Sequence, residues 1–520
     1  MEQKTNREWL WVGAAMAAGL LLSLAYMLLN NAPTSPDSYE YMRGAQSLWS
    51  GQGFRSMTGG YQLVFPPFYP LLIGAADRLL HNPVLDGRLV SLVASIISIL
   101  LVYLLARSFW PGRPAILAGW LFALLPLRIT LASMVFGEST FVALILGAAL
   151  LWLAANARAG WGLVAGLLLG AAYLTRPEGF FVFAMLALGL LIRLRHGECL
   201  SLVLRRVALI SLGFAVVAFP YVIYLKSHTG RWQLTGKSDF NLATASLQVE
   251  GVPFERLKIL ARDGKSTFYT HAQDGLRGTI KRIGRNGRME LMMLAEVAGP
   301  FIFVLIGLSL SNGWWQQRRA VIWPVLAALS CQAVVAVFFF VRERTLIVAA
   351  LVAILLAAPV LLSEIRSTDA QAKRAMRGLI GLLIVGTFAW MGASTLARRP
   401  EGAGPTVISE PLLAALRKPA APAGALIGNG IESRIAAFHT GRNQNALPWG
   451  SLPRVLEYAR FKGADFLLAR STDSPEVAAI ANNPVTTPQL LPLAHIESRY
   501  GNKTVAMQLY RIQPATPTDR

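Results

Sequence analysis

Charge is scarce in this chain of 520 residues, where only 15% of side chains are Asp, Glu, Lys or Arg, against about 25% in a typical soluble domain. That shortage excludes an ordinary water-soluble fold, which could not cover its surface with so few charged groups. Cysteine is scarcer still: Cys199 and Cys331 lie far apart, in or beside apolar segments, which excludes a disulfide framework and a cysteine-held metal. A nucleotide-binding phosphate loop is also missing, because Leu234-Thr235-Gly236-Lys237-Ser238 lacks its spacing and joins no strand to a helix. There is no internal repeat and no low-complexity tract. Acidic residues are the scarcer charge, 28 against 49 basic ones, for a net charge of +21. The basic residues fall in short clusters between apolar runs, the pattern of cytoplasmic loops rather than of a nucleic-acid surface, so no nucleic-acid partner is expected.

Apolar sequence dominates instead, at 54% hydrophobic residues and a mean hydropathy of +0.47, which makes this an α-helical polytopic membrane protein. With about 20 residues per crossing, apolar spans lie near 9–29, 86–106, 114–127, 139–156, 160–175, 179–193, 203–225, 294–311, 320–341, 345–363 and 376–396. About 11 transmembrane helices are therefore expected, the third and fifth being short. The first span follows Lys4 and Arg7 and resembles a signal peptide, but its length and the want of a convincing cleavage site predict a retained anchor with a cytoplasmic N-terminus.

Basic loops test that orientation. The second, fourth and later even connections hold Arg107 and Arg113, then Arg158, then Arg193, Arg195, Arg205 and Arg206, then Arg318 and Arg319, and finally Arg366, Lys373, Arg374 and Arg377. The outward connections hold isolated ionisable residues: Asp37 and Glu40, then Glu138, then Arg176 and Glu178, then Lys237, then Arg342, Glu343 and Arg344. Such groups at the mouth of a membrane bundle are costly to bury and mark function when they gather on one side.

Each admits more than one reading. Asp37, at the start of a juxtamembrane helix after Pro36, is expected either as its N-cap or as a general base. Glu40 reads as a surface residue of that helix. Glu138, flanked by apolar sequence, needs a cation, and the choices are Arg176, Arg344, a metal ion or a substrate hydroxyl. Asp37 with Glu138 would also suit a hard divalent cation, although no cofactor is required by the sequence. Arg176-Pro177-Glu178 reads as a charge pair around a helix-breaking proline. Arg342 and Arg344 fork onto phosphate oxygens, of a lipid headgroup or of a lipid-linked substrate, and Lys237 could meet the same phosphate.

Two outer loops are expected over 30–85 and 226–293. The second ends in a basic amphipathic stretch, RGTIKRIGRNGRMELMMLAEV, suited to lie among headgroups. After residue 396 the prolines 400, 405, 411, 419 and 422 mark a linker. Strand-like runs (Ala425–Ile427, Phe466–Ala469, Leu490–Ile496, Thr504–Ile512) then alternate with helix-like ones (Ile431–Phe438, Leu452–Phe461). The expected division is a transmembrane domain over 1–396 and a small extracytoplasmic α/β domain over 397–520. His439 and His495 are isolated and read as ordinary surface or core histidines.

Four motifs carry a resemblance: Asp37-Ser38-Tyr39-Glu40-Tyr41 with Ala45–Gly53, Pro66-Pro67-Phe68-Tyr69-Pro70-Leu71, Phe136-Gly137-Glu138, and Leu174-Thr175-Arg176-Pro177-Glu178-Gly179. Together they resemble the bacterial membrane glycosyltransferases of the GT-C fold, in the family 39-like branch with the protein mannosyltransferases and the aminoarabinose transferases of lipid A. The resemblance covers the first 230 residues well, the Arg344 region less so, and the C-terminal domain only in layout. It implies an inverting glycosyltransferase of the bacterial cytoplasmic membrane. The donor would be a sugar on a polyprenyl-phosphate carrier, and the acceptor a lipid, glycan or protein hydroxyl on the extracytoplasmic side.

In that pattern Asp37 is the base and Glu138 the second catalytic carboxylate, while Lys237, Arg344 and Arg342 hold the donor phosphate. Arg176, Glu178, Tyr39 and Tyr69 support the outer mouth, and some members use a divalent metal. Many members carry Arg-Tyr where this chain has Arg344-Thr345, so the aromatic partner is missing there. A transporter of lipid-linked saccharides is the competing class, but it is expected to show repeated halves and broken mid-membrane segments. A non-catalytic membrane protein with a partner-binding outer domain is the third.

Overall fold

The computed structural model describes residues 2–29, 35–155, 158–192, 194, 197–236, 275–311, 319–338, 341–362, 370–398, 410–418, 424–500 and 503–513. Lys237 and most of the second long loop lie outside them, as do most of the linker prolines. The chain divides into two units. The first comprises Met1–Asn30, Val64–Lys237 and Asp274–Arg399, and the second joins Asn31–Leu63 to the C-terminal part.

In the first unit the backbone takes the helical solution that lipid imposes, because every N–H and C=O must be satisfied within its own segment. Its helices are α1 (Glu2–Leu29), α3 (Phe68–Leu80), α4 (Pro83–Phe109), α5 (Arg113–Ala123), α6 (Pro126–Ala132), α7 (Glu138–Ala154), α8 (Trp161–Tyr173), α9 (Gly179–Ile192) and α10 (Leu200–Thr229). They continue with α11 (Gly275–Ala298), α12 (Phe301–Leu310), α13 (Arg319–Phe338), α14 (Ile347–Ala357) and α15 (Ala370–Ala397), and a 3-10 turn, Glu343–Leu346, leads into α14.

Six described helices are long and apolar enough to cross a membrane, or up to eight if each of two bent pairs is one span. Three more, Glu138–Ala154, Trp161–Tyr173 and Gly179–Ile192, are apolar but of only 10–17 residues. The protein is thus a polytopic α-helical membrane protein. The expected third span, 114–127, is α5 and α6 meeting at 56°, where Pro126 opens a new helix and cannot continue the old one. The expected eighth span is likewise interrupted at Gly299-Pro300, with α11 and α12 bent by 99°. The amphipathic stretch ahead of that break is helical as expected. Its buried face begins polar, however, with Arg282, Asn286 and Glu290, before turning apolar at Leu294 and Val297, and Asn286 donates to the Val337 carbonyl at the end of α13 at 2.9 Å.

The second unit begins with α2 (Pro36–Trp49) and continues with α16 (Glu410–Arg417), β1 (Ala425–Gly428), α17 (Gly430–His439), β2 (Gln444–Asn445), α18 (Leu452–Phe461), β3 (Ala464–Arg470), α19 (Pro475–Asn482), β4 (Leu490–Tyr500) and β5 (Lys503–Ile512). The sheet order is β2-β1-β3-β5-β4. β1 runs parallel to β2 and β3, whereas β3–β5 and β5–β4 are antiparallel. Helices cover the central strands, which explains why β1 reads as an unbroken apolar run. Ile427, Leu467 and Tyr510 meet Val455, Val477 and Ile480 in the core. The α/β character and every expected strand are found; β2, α16 and α19 are additional.

Candidate active site

Three of the four sequence motifs converge in the first unit. The Phe68 N–H donates to the Leu174 carbonyl at 2.9 Å, joining the Pro66–Leu71 turn to the Leu174–Gly179 turn. Tyr69 is fully buried. Its hydroxyl lies 2.9 Å from the Gly87 carbonyl and 2.7 Å from Ser91 Oγ, and Ser91 Oγ donates to the Phe136 carbonyl at 3.0 Å. Tyr69 is thus an interior brace beneath Phe136-Gly137-Glu138. Gly137 is small for a reason: a Cβ there would meet Thr175 Cγ2 at 3.2 Å and Tyr69 Cβ at 3.7 Å.

Glu138 opens α7 with 1% of its surface exposed. A carboxylate suits the positive end of a helix, but at that depth it must also be paired. Arg176 Nη1 donates to its Oε1, and Arg344 Nε lies 3.5 Å from the same oxygen. Of the choices open to Glu138, both arginines are taken. Arg176 also donates to Glu178 Oε1 at 3.0 Å, so the charge pair around Pro177 is real and continues inward. Glu138 Oε2 is buried and has no hydrogen-bond partner among the described residues, which leaves one acceptor oxygen of a clamped carboxylate for a hydroxyl.

Arg344 lies in the 3-10 turn, its guanidinium carbon 4.9 Å above the Phe136 ring, within cation–π range. An aromatic partner is therefore present although Thr345 follows Arg344; Phe136 supplies it from another helix connection. Thr345 serves the backbone instead, its hydroxyl donating to the Arg342 carbonyl at 2.6 Å. The turn is tied down on its other side, where Glu343 pairs with Arg398 and Tyr26 donates to the Arg398 carbonyl at 3.1 Å. Tyr173 donates to the carbonyl of Leu234, three residues ahead of Lys237.

Asp37 and Tyr39 belong to the second unit. Asp37 is not the N-cap of α2. Ser35 does that work, accepting from the Asp37 N–H at 3.3 Å while its own N–H donates to Ser38 Oγ at 3.1 Å, a reciprocal capping arrangement with Pro36 in the first helical position. Tyr39 is buried and meets Phe438 edge-on at 5.5 Å. Glu40 overturns its surface reading: it is 5% exposed, accepts from the Met57 N–H and Gln62 Nε2 at 3.0 Å each, and lies 3.4 Å from Arg434 Nη1. Burial also lowers the Arg43 guanidinium from its ordinary range, an effect that Glu40 opposes. Among the described residues no three His, Cys, Asp or Glu side chains gather as a metal cage.

A chain with a helical unit, ion-paired at the end of a buried apolar helix, and with an α/β unit matches solved structures along most of its length. The apo oligosaccharyltransferase of Archaeoglobus fulgidus superposes with a TM-score of 0.58 at 16% identity, over 88% of this chain and 69% of that one. The fold is that of the GT-C membrane glycosyltransferases. The archaeal oligosaccharyltransferase AglB from the same organism, in complex with an inhibitory peptide and a dolichol-phosphate, gives 0.55 at 14% identity over 88% and 69%. The mycobacterial arabinofuranosyltransferase AftD gives 0.50 at 15% identity, and this chain, 97% covered, spans 41% of it. Within the GT-C fold, the family described as dolichyl-phosphate-mannose-protein mannosyltransferase matches residues 65–224, which hold Tyr69, Glu138, Arg176 and Glu178. The sequence matches no curated protein.

Sequence reasoning placed Glu138, Arg176, Glu178 and Arg344 among the candidates, and the structure brings these four together. It missed the braces, Ser91 and Tyr173, which look like ordinary helix residues. It also missed Arg434, which lies on the short helix α17 and whose partners Pro36 and Glu40 are far away in sequence.

Proposed function

We propose that this protein transfers a sugar from a polyprenyl-phosphate carrier to an acceptor hydroxyl on the extracytoplasmic side of the bacterial cytoplasmic membrane, with inversion. The observation that carries the reading is the buried Arg176–Glu138–Arg344 cluster, built from motifs inside the segment that matches the mannosyltransferase family. A clamped carboxylate with a spare oxygen beside arginines suits a substrate that combines hydroxyls with a phosphate. The fold supports it too, since one similar structure was solved with a dolichol-phosphate.

In this reading Asp37 takes the proton from the acceptor hydroxyl as its oxygen attacks the anomeric carbon. The bond from that carbon to the carrier phosphate breaks, and its electron pair leaves with the phosphate. Arg344, Arg342 and Lys237 stabilise the charge developing there, while Glu138 orients a hydroxyl through Oε2. One displacement inverts the anomeric centre. The same reading has the three shorter apolar helices cross as well, for eleven crossings, with the N-terminus cytoplasmic and the α/β domain outside. The acceptor is a lipid, glycan or protein hydroxyl.

The test is sugar transfer in membranes containing the full chain or its Asp37→Asn variant, supplied with polyprenyl-phosphate-linked sugars and assayed by the label reaching glycolipid, glycan and protein. Loss of a general base is expected to slow transfer by about 10²–10⁴-fold with the protein inserted normally. Wild-type turnover in Asp37→Asn would remove Asp37 from the chemistry.

A further inference from the structure

The first turn of α2 is held by the C-terminal part of the chain through polar contacts at defined points. Arg434, on α17, donates through Nη1 to the Pro36 carbonyl at 2.8 Å and lies 3.4 Å from Glu40 Oε1. Those two contacts flank Asp37, one residue before it and three after. Glu40 has its other oxygen filled by the Met57 N–H and Gln62 Nε2. Its charge is therefore spent on holding the loop together.

Further contacts hold the rest of α2 and the loop that follows it. Arg43 Nη2 donates to the carbonyls of Arg442 at 2.8 Å and Gly441 at 3.2 Å, the Gln444 N–H donates to the Met57 carbonyl at 2.7 Å, and Tyr39 packs on Phe438. Side chains of Arg434 and Glu40 are only 12% and 6% exposed. Charges buried this far are costly unless paired, so the pair does not persist as a solvated accident.

We propose that Arg434 is a positioning residue for Asp37: acting from the C-terminal domain, it fixes the first turn of α2 at Pro36 and at Glu40 and so sets the direction of the Asp37 carboxylate. This rests on the reading of Asp37 as the base. The α/β domain then takes part in the transfer step without touching substrate. Its leverage is large, because a misplacement of about 1 Å in a catalytic group costs roughly 10²-fold in rate.

The experiment uses the full chain in membranes, with Arg434→Ala, Arg434→Lys, Glu40→Gln and Asp37→Asn compared by donor-dependent transfer kinetics and by amide hydrogen exchange. Arg434→Ala is expected to lower kcat by about 10²-fold with the donor KM within about twofold. Exchange should rise in peptides covering residues 36–42 while the transmembrane helices exchange as before. Arg434→Lys should recover part of kcat, since an ammonium can reach one of the two acceptors, and Glu40→Gln should fall between.

A wild-type kcat in Arg434→Ala, or unchanged exchange over 36–42, overturns the proposal. So does a loss accompanied by raised exchange throughout the chain that lysine does not rescue. The two readings fail separately: an inactive Asp37→Asn with an unimpaired Arg434→Ala sinks this proposal alone, whereas an active Asp37→Asn sinks the base as well.

Discussion

Glu138 and Glu40 are both buried carboxylates facing arginine, yet only one keeps an oxygen without a partner. Glu138 Oε2 has none among the described residues, while both oxygens of Glu40 are engaged. The need of Glu138 for a cation was legible from its apolar flanks, because an unpaired charge there would be prohibitively costly. The fate of Glu40 was not legible, since its partner Arg434 lies 394 residues away and local spacing cannot announce it. Arg176 holds Glu138 more closely than Arg344 does, and it also holds Glu178. Arg176→Ala should therefore destabilise the protein by about 3 kcal/mol, the cost of stripping a buried carboxylate of its main partner. Arg344→Ala should leave the melting temperature nearly unchanged and raise the donor KM instead. Thermal melts of both variants in detergent, beside transfer kinetics, check the contrast.

Among the elements, α8 and α10 depend on one another through glycine. A Cβ on Gly166 would come within 2.2 Å of the Ile210 carbonyl oxygen, and one on Gly213 within 2.2 Å of the Leu163 oxygen. Gly162, Gly166 and Gly170 recur every four residues along α8, the small-residue ridge that lets membrane helices approach backbone to backbone. An apolar run in the sequence says only that a span exists and leaves open which face meets which neighbour. Gly166→Ala should force the pair apart at a cost on the order of 3 kcal/mol, seen as a lower melting temperature and reduced yield of folded protein. Ala at Gly307, where a Cβ meets nothing within 4 Å, is the control and should be neutral. The bends at Pro126 and at Gly299-Pro300 break what reads in the sequence as continuous apolar spans, and β2, with two residues, is too short to announce itself.

For the molecule as a whole, the orientation rests on the count of cations in alternate loops. One of them, Arg206, is buried and pairs with Glu198 at 2.6 Å, yet Arg205 beside it stays exposed, so the loop keeps its positive bias. The two cysteines make the topology testable. Cys199, exposed between α9 and α10, should resist an impermeant maleimide in right-side-out vesicles and react after lysis. In a Cys199→Ser background, Phe461→Cys, at a position 80% exposed on the α/β domain, should be labelled before lysis. The reverse pattern would invert the whole arrangement and move Asp37 to the cytoplasmic side.

The membrane class, most of the helices, the α/β character of the C-terminal part and the candidates around Glu138 are all legible in the residues alone. Each of these follows from local quantities: hydropathy over a span, strand and helix periodicity, and the cost of an isolated charge in apolar surroundings. Folding in three dimensions settles the rest: Arg176 and Arg344 share one oxygen of Glu138, Ser35 rather than Asp37 caps α2, and α2 belongs with the C-terminal part through Arg434. Those outcomes depend on pairings between distant segments, where many arginines could satisfy a given carboxylate and packing selects one.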